Sequence, residues 1–145
     1  MSDDWFVAAF EKGEIARDSF HHADHVRLAF LYLRRLPPLI ALDRFSTALS
    51  RFAAAGGKPN LYNETITWAF MLLIRERIER LRETGRRPDW NEFAAENADL
   101  LSWNAHVLNT YYRDETLASE FARRTFVLPD RSLNSQAHAS PATLP

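Results

Sequence analysis

Two short polar runs hold most of the side chains able to do chemistry. The first, Phe20-His21-His22-Ala23-Asp24-His25, places three of the five histidines within six residues. The second, Tyr62-Asn63-Glu64-Thr65-Ile66-Thr67, sets a phenol, a carboxylate and two hydroxyls close together. His22 and His25, three apart, fall on one side of a helical turn. Two neutral imidazoles and a carboxylate suit zinc, manganese or non-haem iron, with positions left open for water or substrate. His22, His25 and Glu64 are therefore the expected ligands of a divalent metal. In an enzyme of this kind the metal polarises an oxygen or activates water, and His25 or Glu64 moves the proton. Tyr62 and Thr67 are expected to line the same small-molecule pocket, with Tyr32, Trp68 and Met71 as its apolar floor. The competing reading makes the histidines hydrogen-bonded core residues and leaves Glu64 to favour a helix N-terminus. His106, beside Trp103 and Tyr111, is open to either reading, and His138 lies in a segment without periodicity.

Helices must position these groups, because the apolar periodicity is helical nearly throughout. Trp5, Phe6, Ala9 and Phe10 share one face of a first helix over residues 4–12, stopped at Gly13. A second spans 23–36 and ends at Pro37-Pro38, since proline lacks an N–H and clashes with the preceding turn. The third, 38–55, carries Leu42, Phe45, Leu49 and Phe52 and closes on Gly56-Gly57. Asn63 is the expected N-cap of a fourth helix that reaches residue 84, with Gly85 after it. Its first half is apolar nearly all round, the pattern of a central helix. Its second half, Arg75 to Glu83, alternates in charge and reads as a solvated face with i, i+4 pairs.

Asp89 and Glu92 have capping-box spacing ahead of a short helix carrying Trp90 and Phe93. Further helices are expected over 102–112 and 114–124, then a docked extended segment over 126–130. Residues 131–145, rich in Ser, Ala, Asn and Pro, are expected to be a disordered tail. The short connections make neighbouring helices antiparallel, so the second and fourth are parallel and start at the same end. That placement is what brings the two polar runs together in this reading.

Composition narrows the function classes. With 145 residues, 46% hydrophobic and 26% charged, the chain has the content of one globular domain. A net charge of −1 argues against a whole-domain footprint for nucleic acid or an anionic membrane. Without cysteine there is no disulfide, thiolate metal site or cysteine nucleophile. The acidic start, Ser2-Asp3-Asp4-Trp5, is unlike a signal peptide, and no apolar run exceeds seven residues, so a cytoplasmic protein is expected. No glycine-rich phosphate loop, nucleophile elbow or H-E-x-x-H motif is present.

Three segments carry a resemblance: Phe20-His21-His22-Ala23-Asp24-His25-Val26-Arg27-Leu28-Ala29, Tyr62-Asn63-Glu64-Thr65-Ile66-Thr67-Trp68-Ala69, and Ala122-Arg123-Arg124-Thr125-Phe126-Val127-Leu128-Pro129-Asp130. With them the chain resembles a family of small, functionally uncharacterised, all-helical bacterial proteins. The second segment in that family often reads Tyr-His-Glu-Thr-Ile-Thr, whereas this chain has Asn63 at the His position. The resemblance implies a shared architecture over most of residues 20–130 and names no reaction.

The expectation is an all-α bundle of about six helices over residues 1–130, with the fourth helix buried at its centre. Its expected function is a small-molecule pocket at one end, metal-dependent if catalytic. The alternative is a non-enzymatic helical ligand-binding or protein-interaction domain with structural histidines.

Overall fold

A computed structural model describes residues 2–103 and 106–131, and among these every regular element is helical. The α-helices are α1 (Asp3–Glu11), α2 (His22–Arg35), α3 (Pro38–Ala55), α4 (Glu64–Glu83), α5 (Trp90–Glu96), α6 (Asp114–Leu117) and α7 (Glu120–Arg124). Single 3-10 turns lie at Arg17–Ser19, Pro59–Leu61, Ala98–Leu100 and Val107–Thr110. No helix among the described residues is long and apolar enough to cross a membrane.

Local chemistry sets the boundaries of the long helices. Ser2 caps α1, and Asn63 caps α4 by accepting from the Ile66 N–H at 2.9 Å. Asp24 accepts the His21 N–H at 2.9 Å, fixing the entry to α2. Asp89 and Glu92 form the reciprocal box expected before α5, at 2.8 and 3.2 Å. Past α4 the chain turns through Gly85 at φ 79°, a left-handed conformation that costs glycine little.

Packing concentrates on α2 and α4. Val26 and the unbroken run from Leu28 to Leu33 are buried, so α2 is enclosed on nearly all sides. It packs mainly on α3 and α4. The buried side chains of α4 are Thr65, Thr67, Phe70, Met71, Ile74 and Ile78, and the helix also touches α7 and the turn at Val107–Thr110. Phe10 stacks on Phe20 and Phe45 at one end of the core, while Phe30 meets Phe93 at 4.7 Å at another.

The C-terminal half differs from its expected helices. The helix expected over 102–112 is replaced by the Val107–Thr110 turn, with residues 104 and 105 outside the described set. The one expected over 114–124 is split by Ser119. Its hydroxyl donates to the Thr116 carbonyl at 2.7 Å, closing α6, and accepts the Ala122 N–H at 3.1 Å, opening α7.

The segment after α7 docks in extended form, as expected. Buried Thr65 holds it: its hydroxyl lies 2.7 and 2.9 Å from the carbonyls of Ala122 and Thr125 and accepts the Val127 N–H at 3.1 Å. Tyr112 donates to the Val127 carbonyl at 2.6 Å, and Asp130 receives the Arg113 N–H and the Thr116 hydroxyl. Arg131, assigned to the tail by composition, is anchored instead, through its N–H to Tyr111 and its guanidinium to Asn109. Residues 132–145, the rest of the expected tail, lie outside the described residues.

Candidate functional site

The chain between α3 and α4 is short, so α4 folds back along α3 and leaves an open groove of about 620 Å³ between them. Tyr62, Glu64 and Trp68 line one side; Asp43, Ser46, Ser50 and Arg51 line the other, with Leu39 and Leu42 adding apolar surface. Glu64 and Trp68 share a face because four residues turn a helix through only about 40° beyond a full circle. Tyr62 sits just before the Asn63 cap, so the cap geometry that starts α4 also fixes the phenol.

The Tyr62 hydroxyl donates to Glu64 Oε1. Burial raises the Tyr62 pKa above the ordinary tyrosine value, and the adjacent carboxylate raises it further. The hydroxyls of Thr67 and Ser46 lie near enough to oppose part of that shift, so four polar side chains meet at one place. The phenol stays protonated at neutral pH and acts as a fixed donor. It orients the carboxylate and leaves the second oxygen of Glu64 for another partner. Trp68 stacks on Phe126 at 5.3 Å and 23°, which tethers the groove wall to the docked C-terminal segment.

The histidines form a separate cluster. The His22 Nε2–H donates to the Leu100 carbonyl at 2.9 Å, and its ring meets Phe70 and Trp103 at 5.0 and 5.1 Å. His25 stacks on Phe20 at 4.3 Å. His106 stacks on Trp103 at 4.5 Å. Burial lowers the pKa of all three. For His25 it falls to about 4, with the neighbouring His22 adding to the effect of burial and Asp24 opposing it. At neutral pH these imidazoles are uncharged and embedded among aromatic rings.

The expected site is therefore divided. Tyr62, Glu64, Thr67 and Trp68 come together, whereas His22 packs on another side of α4, against Phe70, and His25 stacks on Phe20. Phe70, which His22 touches, and Glu64 are six residues apart and point about 120° away from each other around the helix. Starting two helices at one end of a bundle fixes their level and leaves their rotation free. Among the described residues no three His, Cys, Asp or Glu side chains are grouped so as to hold a metal ion.

Tyr32 also leaves the expected pocket. It is buried against Phe45, and its hydroxyl donates to Glu11 at 2.7 Å, with Arg44 on the same carboxylate at 3.1 Å. Met71 is core, 1% exposed, not a pocket floor.

The α3 side of the groove was not anticipated from sequence. Asp43, Ser46, Ser50 and Arg51 recur at helical spacing beside the apolar face of Leu42, Phe45, Leu49 and Phe52. That polar stripe was available as a signal, but an ordinary solvated face has the same pattern. A second depression, about 430 Å³, lies at Arg113, Asp114, Glu115, Asp130 and Arg131. There Asp130 is already taken up by Arg113 and Thr116, and Arg131 by Asn109. No family model, curated protein or solved structure matches the chain.

Proposed function

We propose that this chain is a small-molecule-binding helical domain whose site is the groove between α3 and α4. The observation that carries this reading is the Tyr62–Glu64 pair, a carboxylate oriented by a protonated phenol on the wall of a groove of ligand size. Trp68, Leu39 and Leu42 supply apolar surface beside it and Ser46 a hydroxyl, while Thr67, expected to line the pocket, is buried behind Tyr62. A ligand suited to this wall places a hydrogen-bond donor, best a charged one, on Glu64 and an apolar group toward Trp68. In this reading His22 and His25 serve structure: one ties α2 to Leu100 and the other stacks on Phe20.

Phenethylamine is a direct probe, because it joins an ammonium to a ring. Titrated into isotopically labelled protein and followed by NMR, it should shift backbone signals within residues 39–51 and 62–68 and the Trp68 indole N–H. Glu64→Gln should weaken those shifts while far-UV circular dichroism stays unchanged. Shifts confined to the His22–Trp103–His106 cluster, or no saturable shifts in the groove, would overturn the proposal.

A further inference from the structure

The groove holds charges of both signs that no opposite charge of the protein neutralises. Asp43, Glu64 and Arg51 line it, and among the described residues none of them forms an ion pair. Elsewhere on the domain some charges are satisfied internally: Arg77 makes a double hydrogen bond to Asp99, and Arg86 meets Glu96 at 2.8 Å.

Their order along the groove matters as much as their number. Ser46 lies beside the Tyr62 phenol, which places Glu64 level with the middle of the lining stretch of α3. Arg51 is five residues further on, about 7–8 Å of helix rise, a distance an arginine side chain can span. Leu42 and Leu39 lie the other way from Ser46, and α4, folding back, carries Trp68 in that same direction. The groove thus reads in sequence as cation, anion, apolar wall.

We propose that the ligand of this groove is a zwitterion of amino-acid type: an ammonium on Glu64 and Asp43, a carboxylate on Arg51 and an apolar side group against Trp68, Leu39 and Leu42. The inference rests on the reading of the groove as the binding site. It adds the requirement that both charges belong to one molecule. Arg51 suits the carboxylate because its guanidinium presents paired donors in a plane. Glu64 suits the ammonium because the phenol occupies only one of its oxygens. Ser50, on the lining between Ser46 and Arg51, offers a hydroxyl to the carboxylate end.

Three probes of one skeleton separate the parts. L-Phenylalanine has both charges, phenethylamine lacks the carboxylate, and hydrocinnamate lacks the ammonium. Isothermal titration calorimetry of the full chain should rank phenylalanine about tenfold tighter than either of the others, the scale of one added charge-assisted hydrogen bond. Arg51 is exposed, so Arg51→Gln should fold normally. It should remove the advantage of phenylalanine over phenethylamine by weakening phenylalanine, and it should not weaken phenethylamine, whose ammonium gains from the loss of a nearby positive charge. Glu64→Gln should weaken phenylalanine and phenethylamine together and spare hydrocinnamate. Phenylalanine binding no tighter than phenethylamine, or keeping its advantage in Arg51→Gln, would overturn the zwitterion and leave the groove standing. If neither amine binds in the groove, both proposals fall.

Discussion

Acidification should destabilise this protein through His25 well before its carboxylates protonate. The imidazole is half-buried against Phe20, and its pKa falls from 6.5 to about 4 in the fold, first through burial and then through His22. As pH drops below 6.5 the unfolded chain takes up the proton, while the folded chain resists it until about 4. The folded state therefore binds fewer protons across that window. The stabilisation is complete above 6.5, erodes as pH falls and is exhausted below 4. Linkage puts the full loss at about 3 kcal/mol and the loss already incurred at pH 5 at about 2 kcal/mol. His22 and His106 are shifted the same way and add to the slope. Asp99 and Asp130, whose pKa values lie below the usual carboxylate range, act only at lower pH.

The assay is urea unfolding at pH 7 and pH 5 for wild type and His25→Phe, a change that keeps a ring on Phe20 and removes the titration. The drop in unfolding free energy between the two pH values should be smaller in the variant by about 2 kcal/mol. Equal drops would refute the reasoning, since they would mean that His25 titrates alike in both states.

Three further outcomes are expected. Thr65→Val keeps the shape but strands the Val127 N–H and two carbonyls, so it should cost about 2 kcal/mol in urea unfolding and expose the 125–131 segment to trypsin. Phe70→Ala and Ile74→Ala, both buried, should each cost about 3 kcal/mol by opening a cavity, whereas partly exposed Leu73→Ala should cost less. Removing residues 132–145, which lack an apolar period, should leave the melting temperature unchanged; cutting one residue earlier also removes the two hydrogen bonds of Arg131 and should lower it.

The long helices were legible because their signals are local. Pro37-Pro38, Gly56-Gly57, Asn63, the Asp89–Glu92 box and Gly85 mark boundaries through backbone chemistry that needs no distant partner, and the expected span of α3 matches the structure residue for residue. The region after residue 100 was less legible because its elements are short. Helices of four and five residues do not stand on propensity and take their form from tertiary partners. Thr65, more than fifty residues away, holds the end of α7, and nothing local announces that bond. Arg17 is a similar case: in a connection read as merely polar, its guanidinium donates to the Phe52 carbonyl at 2.5 Å and covers that ring.

For the site, the types of Tyr62, Glu64, Thr67 and Trp68 pointed to a pocket, but their companions did not. Spacing along α2 and α4 gives the face each residue occupies, not the rotation of one helix against the other. That rotation follows from packing: Phe70 turns toward His22, and Glu64 turns toward α3. Tyr32 was misplaced for the same reason, its hydroxyl being drawn to Glu11 on α1.

The central claim is that the ligand site lies at Glu64 in the α3–α4 groove and not at the histidines. Calorimetric titration of phenethylamine into wild type, Glu64→Gln and His25→Phe tests it most directly. The account predicts that binding is lost or much weakened in Glu64→Gln and unchanged in His25→Phe at pH 7. Binding that survives Glu64→Gln and disappears in His25→Phe would contradict it.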